Sequence, residues 1–241
     1  MKTNSKLLII SLIAFNFFTY QFLQAQFIKG DGNVTKSERN VSSFKSVEVE
    51  DGIDLYISQG SKESLEIEAD QNLHQYIMTE VNGDNLRIFL SKSIRKAKTL
   101  KIKLSVVDIK GLSASGGSDI YTQGSLKLND LSVICSGGSD IRLEIETAEL
   151  KFKASGGSDG YIKGTAKVFK AKASGGSDIK ATGLEAGTCE IEVTGGSDAE
   201  IYATGELQVR ATGGSDVSYK GKPSKIDSNM SGGSSLHHDS F

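Results

Sequence analysis

Six aspartates, Asp119, Asp140, Asp159, Asp178, Asp198 and Asp216, each close a Gly-Gly-Ser-Asp tetrapeptide, and an altered seventh copy reads Gly232-Gly-Ser-Ser235. Carboxylates stacked at one corner, at a strand spacing of about 4.8 Å, could do one of two things. They could share cations, because Ca²⁺ takes about six to eight oxygens from carboxylates, carbonyls and water. They could instead be caps. In that case the aspartates, together with Ser118, Ser139, Ser158, Ser177, Ser197 and Ser215, accept hydrogen bonds from the N–H groups of the glycine corner. Capping is the preferred reading, with no metal and no cofactor expected. The likeness to calcium-binding G-G-x-G-x-D repeats is partial, since the period is about twice too long and the third glycine is absent.

A second series runs beside the first: Ser115, Ser136, Ser155, Ser174, Thr194, Thr212 and Ser231 precede the glycines. With the corner serines this column would make a flat, polar, periodic strip able to match a repetitive polymer such as a glycan. Outward lysines come in pairs, Lys151/Lys153 and Lys170/Lys172, followed by Glu190/Glu192 and Gln208/Arg210. This reads as cross-strand charge matching, worth about 0.2–1 kcal/mol per pair. The two cysteines fall three coils apart, about 14 Å at the strand spacing, beyond the roughly 7 Å Cα limit for a disulfide. They read as small core residues. The histidines are His74, standing alone, and the pair His237-His238. No Ser/His/Asp set, metal-ligand spacing, P-loop or dinucleotide fingerprint is visible, and no enzyme is expected.

What must position these residues is a repeat. The first glycines of successive corners are 21, 19, 19, 20, 18 and 19 residues apart. Before each corner the chain alternates apolar and polar, as in Leu150-Lys-Phe-Lys-Ala154 and Leu207-Gln-Val-Arg-Ala211, the mark of a strand with one buried face. After the aspartate comes a second short strand, as in Ile141-Arg-Leu-Glu-Ile145, commonly ending at another glycine: Gly124, Gly164, Gly183, Gly205 or Gly221. A unit of this size cannot bury its apolar side alone, but stacked units can, each strand pairing in parallel with its equivalent one coil away. The expected fold is all-β, a right-handed parallel β-helix (solenoid) of about 19-residue coils. Residues 111–241 form the regular repeats. Residues 26–110 form an irregular β-rich N-terminal part with the first coil, including a helical turn or two in Asn72–Thr79, and cover the open end of the solenoid.

The 28 basic and 30 acidic residues give a net charge of −2, which suits neither nucleic acid nor an anionic membrane. Lys2 and Lys6 precede an apolar stretch from Leu7 to Phe18 and a small residue, Ala25, the arrangement of a secretory signal peptide over residues 1–25. The stretch is too short for a spanning helix, and no transmembrane segment is expected in the mature chain.

Gly30-Asp-Gly32, Phe44-Lys-Ser-Val47-Glu-Val49, Gly52-Ile53-Asp-Leu55, Gln59-Gly60, Leu86-Arg-Ile88 and the Ser-Gly-Gly-Ser-Asp-Ile units together resemble the head GIN domain family of auto-transporter adhesins, known from exported proteins of Bacteroidetes-type bacteria. The resemblance spans roughly Gly30 to Ser235. It implies a β-helical fold and a surface or periplasmic location, and brings no catalytic residues. The expected function is a non-catalytic exported binding or adhesion-like module whose partner is a glycan or an envelope or surface protein. The alternatives are an envelope scaffold and, less favoured, a polysaccharide lyase or hydrolase. The expected location is the periplasm, the outer-membrane surface or the extracellular space.

Overall fold

The computed structural model describes residues 27–239; the expected signal peptide, residues 1–25, lies outside them. The N-terminal strands are β1 (Ile28–Lys29), β2 (Val34–Arg39), β3 (Ser46–Val49), β4 (Asp54–Gln59), β5 (Ser64–Asp70), β6 (Ile77–Asn82), β7 (Asn85–Leu90), β8 (Ile94–Lys96) and β9 (Leu100–Val106). Then come β10 (Gly111–Ala114), β11 (Ile120–Thr122), β12 (Leu126–Ser136), β13 (Asp140–Ser155), β14 (Asp159–Ser174), β15 (Asp178–Gly195) and β16 (Asp198–Gly213). The last are β17 (Asp216–Lys220), β18 (Lys225–Gly232) and β19 (Ser235–His238). The helical turn expected within Asn72–Thr79 is a single 3-10 turn at Gln71–Leu73, and the chain is already in β6 by Ile77.

From β12 to β16 each coil pairs in parallel with the next, so that Asp140 lies beside Asp159, Lys151 beside Lys170 and Ser155 beside Ser174. This is the expected β-solenoid. Apolar side chains at alternate positions form its interior: Leu150, Phe152 and Ala154 stack on Phe169, Ala171 and Ala173, then on Cys189, Ile191 and Val193, all buried. Phe152 and Phe169 stand in neighbouring columns, each beside a smaller or more compact residue (Ala171 and Leu150), and with both almost fully buried the interior is filled by side chains. Cys135 and Cys189 are free and buried within it, and burial pushes both thiols up to about 12.

The coil strands continue backwards across a long gap in sequence. β10 pairs in parallel with β3 and β11 with β4; β3 in turn pairs with β7, and β4 with β9. Beyond these the pairing changes sense: β6 runs antiparallel to β7, β5 to β9 and β2 to β5. At this end Asp70 is fully buried and accepts N–H bonds from Gly32 (2.5 Å), Lys98 (2.7 Å) and Thr99 (3.3 Å).

Candidate functional site

The Gly-Gly-Ser-Asp corners begin with backbone shape. In the four corners from Gly116 to Gly176 both glycines take positive φ, for example +70° and +74° at Gly175 and Gly176, whereas at Gly195, Gly213 and Gly232 only the first does; L-residues enter this region at a cost of roughly 1–2 kcal/mol. An added Cβ at Gly175 would meet the backbone N of Gly156 at 3.3 Å, whereas one at Gly176 would meet nothing. At this corner the first glycine is therefore needed for space and shape, the second for shape alone.

The turn carries the serine inward and the aspartate outward. Ser118, Ser139, Ser158, Ser177, Ser197 and Ser215 are all fully buried. This corrects the expectation that they share an exposed polar strip. The left-handed glycines, two in the corners up to Ser177 and one in those of Ser197 and Ser215, interrupt the alternation that holds along a strand, and the hydroxyl turns under the corner. There it stitches coils together: Ser177 Oγ donates to Ser174 C=O (3.0 Å) and accepts from Ser158 N–H one coil back (3.3 Å). Ser197 Oγ likewise accepts from Gly176 and Ser177, each at 3.1 Å.

The aspartates stand in register on the outside, half-buried from Asp119 to Asp178 and exposed at Asp198 and Asp216. Their carboxylates also bond across coils. Asp119 accepts from Asp140 N–H (2.9 Å), Asp159 from Asp178 N–H (3.3 Å) and Asp198 from Asp216 N–H (3.0 Å). A second column, two residues after each aspartate from Asp119 to Asp178, offsets the charge. Tyr121 donates its hydroxyl to Asp119 (2.9 Å), Arg142 lies 3.7 Å from Asp140, Tyr161 donates to Asp159 (3.4 Å) and Lys180 lies 3.4 Å from Asp178. These side chains stack on one another: Tyr56 on Tyr121 at 4.9 Å, Arg142 over Tyr161 at 4.7 Å, and Lys180 over Tyr161 at 5.1 Å. Their ring faces are occupied by neighbours, so this column braces the ladder.

Sequence reasoning missed one rung. Leu55 lies beside Ile120, which puts Asp54 next to Asp119 as a seventh aspartate. Burial and then the Asp119 charge raise its pKa. The signal was the Gly52-Ile53-Asp54-Leu55 echo of the corner, with its serine missing. Asp140, in mid-ladder, is also raised, by burial first and then by Asp119 and Asp159. A raised carboxyl pKa means the folded chain binds the proton more tightly than the unfolded one. Asp140 therefore adds stability as pH falls through its folded pKa and adds least at neutral pH. Asp140→Asn is expected to leave the neutral-pH melting temperature unchanged or raised by a degree or two. Millimolar Ca²⁺ is expected to shift the wild-type value by no more than that amount. A larger calcium-dependent rise, abolished by Asp159→Asn, would make the ladder a cation site instead.

The hydroxyl column runs in register from Ser136 through Ser155, Ser174, Thr194 and Thr212 to Ser231. On the adjoining strand face the expected charge matching forms, with Lys170 at 3.3 Å from Glu190 and Lys172 at 2.6 Å from Glu192. Lys151 and Lys170, neighbours of like charge, share Glu149 at 3.6 Å each.

The fold does bring one Ser/His/Asp trio together, which the sequence did not reveal. Ser235 Oγ is hydrogen-bonded to Asp216 Oδ1 and lies 2.8 Å from His237 Nε2. Its geometry is not that of a nucleophile and its base. The serine has one proton, which goes to Asp216, so His237 must donate to the hydroxyl and cannot take its proton; the carboxylate does not orient the imidazole. Among the described residues no group of three or more His, Cys, Asp or Glu side chains converges as a metal site, and no helix is long and apolar enough to cross a membrane.

The family described as "Putative auto-transporter adhesin, head GIN domain" matches residues 43–223. Solved structures with the same fold include a "putative adhesin" from Bacteroides fragilis, 22% identical, covering 88% of this chain and 100% of its own with a TM-score of 0.84. A "putative lipid binding protein" from Parabacteroides distasonis is 21% identical, covering 89% and 100% at a TM-score of 0.75. A "putative adhesin" from Parabacteroides merdae is 20% identical, covering 89% and 99% at 0.69. No curated protein matches the sequence.

Proposed function

The chain belongs to the head GIN domain family, and from that premise we propose that it is a non-catalytic, exported, adhesin-like module that holds its partner along the outside of the solenoid. One observation carries the reading: the bore is packed solid with side chains, so a ligand has only the outer faces to meet. There the repeating chemistry is the hydroxyl column beside the aspartate ladder, which offers the same donors and acceptors at every coil, about 4.8 Å apart. Such a face suits a glycan, a polymer with its own repeat, or an extended segment of an envelope or surface protein. The same filled bore leaves no room for an acyl chain inside the coils. The periplasm, the outer-membrane surface and the extracellular space all fit an exported module. The aspartates from Asp119 to Asp216 are the site residues of this proposal; the corner serines support them from beneath.

Glycan arrays and pull-downs from envelope fractions test it. Wild-type protein is expected to retain a glycan or an envelope protein. Ser155→Lys together with Ser174→Lys, which put bulk and charge in the middle of the column, are expected to abolish that retention without lowering the melting temperature by more than a few degrees. Background signal in both assays would overturn the proposal.

A further inference from the structure

The two ends of the solenoid are built differently. At the N-terminal end the parallel rungs are covered by the antiparallel strands β2, β5 and β6. At the other end β18 pairs with β16, and among the described residues nothing pairs with its far edge. The inward positions of this last rung are Ile226, Ser228 and Met230, stacked on the buried Leu207, Val209 and Ala211. Ile226 nevertheless remains 45% exposed, and Ser228 is exposed beside it.

The hydrogen-bonding sense of that edge follows from the register. Ser132 N–H donates back to Lys110 C=O (2.9 Å), and Ser132 is in line with Lys151, Lys170, Glu190, Gln208 and Asp227. Outward residues therefore turn their backbone groups to the preceding coil, and inward residues turn theirs to the following one. At β18 the N–H and C=O groups of Ile226, Ser228 and Met230 face outward along the axis. Unpaired edges of this kind are ordinarily blocked by an inward-pointing charge or a proline within the strand. Here the charges, Lys225 and Asp227, occupy outward places, and Pro223 precedes the strand.

We propose that the β18 edge is the interface of a tail-to-tail dimer, in which β18 pairs antiparallel with β18 of a second copy about a two-fold axis at Ser228. The segment Ile226-Asp-Ser-Asn-Met230 is close to palindromic in chemical character about its centre. In this register Ile226 lies opposite the partner's Met230 and Ser228 opposite the partner's Ser228. Each of these pairs exchanges N–H···O=C bonds through the groups that face the edge. Asp227 lies opposite the partner's Asn229, an acceptor against a donor. Sliding the strands by two places one way puts Asp227 against the partner's Asp227, with like charges opposed. Sliding them the other way sets Ile226 against the partner's Gly232 and Met230 against the partner's Ser228. One register satisfies both faces. A two-fold contact uses the same strand on both copies, so it closes on itself and adds no third copy. The interface is independent of whatever the side faces hold.

Light scattering on the purified chain is expected to give twice the monomer mass. Ser228→Pro deletes an edge-facing N–H without touching the β16 bonds, and is expected to halve that mass while the circular dichroism spectrum stays that of a folded β protein. Should that variant not fold, Asp227→Cys and Asn229→Cys, both outward and solvent-facing, test the register directly. A mixture of the two single variants is expected to form a disulfide-linked dimer on oxidation, because the paired Cβ atoms lie roughly 4.5–5.5 Å apart. Neither variant alone is expected to do so. A monomeric wild type throughout the micromolar range, assemblies larger than two, or cross-linking as strong in a single variant as in the mixture would overturn the proposal.

Discussion

Gly164→Ala is expected to destabilise the fold more than any glycine substitution at the Gly-Gly-Ser-Asp corners, by roughly 3–5 kcal/mol. Gly164 has φ +118°, and lies directly beside Ile145 of the preceding coil. A Cβ there would fall on the Ile145 carbonyl oxygen, 2.9 Å from its carbonyl carbon and 3.0 Å from its nitrogen. The neighbour is backbone locked in the ladder and cannot swing aside as a side chain could. Two controls separate the causes. Gly176→Ala has open space but φ +74° and is expected to cost about 1–2 kcal/mol, the price of the left-handed region alone. Gly196→Ala has open space and no positive φ, and is expected to be near neutral. Chemical denaturation of the three variants checks the order; equal costs at Gly164 and Gly176 would refute the close-approach argument.

Asp70→Ala is expected to cost roughly 2–4 kcal/mol and to flatten the acid limb of the stability profile. Its carboxylate accepts from the N–H groups of Gly32, Lys98 and Thr99, which belong to segments far apart in the chain. An added Cβ at Gly30 would meet Asp70 Cγ at 2.6 Å, so backbone is packed closely around the group. Burial on its own would raise the pKa, but the N–H bonds from Lys98, Gly32 and Thr99 outweigh it and hold the pKa below the ordinary carboxylate value. A depressed folded pKa gives a contribution present in full above the unfolded value, near about 3.9, and lost as pH falls through the folded value. Wild type is therefore expected to lose stability from about pH 4 downward in part through this residue. The alanine variant, already without the contribution, should show a shallower fall. Parallel acid limbs in the two proteins would remove Asp70 from the account.

The coils were legible because two signals agreed. Alternation marked which side of each strand is buried, and the glycine corners fixed where one strand gives way to the next. Together they placed Cys135 and Cys189 in the core and Ser155 beside Ser174. The corner serines were misplaced because strand alternation does not pass through a corner made by left-handed glycines. Tyr121, Arg142, Tyr161 and Lys180 stand at a constant offset of two from their aspartates; the pattern was present, but mixed chemistry concealed that aromatic and cationic residues serve one column. Asp54 was hidden because its corner has lost its serine. Asp70 left no trace in the sequence, since its partners lie 28 or more residues away and meet it only when antiparallel strands fold over the end. The trio of Asp216, Ser235 and His237 is likewise a product of stacking, joining residues of successive coils.

The hydrogen bonds of each corner are made within it or with the neighbouring coil: the serine hydroxyl donates inside its own corner and accepts from the coil before, and the aspartate carboxylate accepts from the coil after. A coil therefore meets the same demands wherever it stands in the stack. Copying one unit, or deleting one, would leave every remaining corner with a partner and would change the rod's length by about 4.8 Å. Such a molecule works as a ruler whose graduations can be added singly. Unequal recombination within so repetitive a gene could adjust the length of the rod without redesigning the chemistry of its sides.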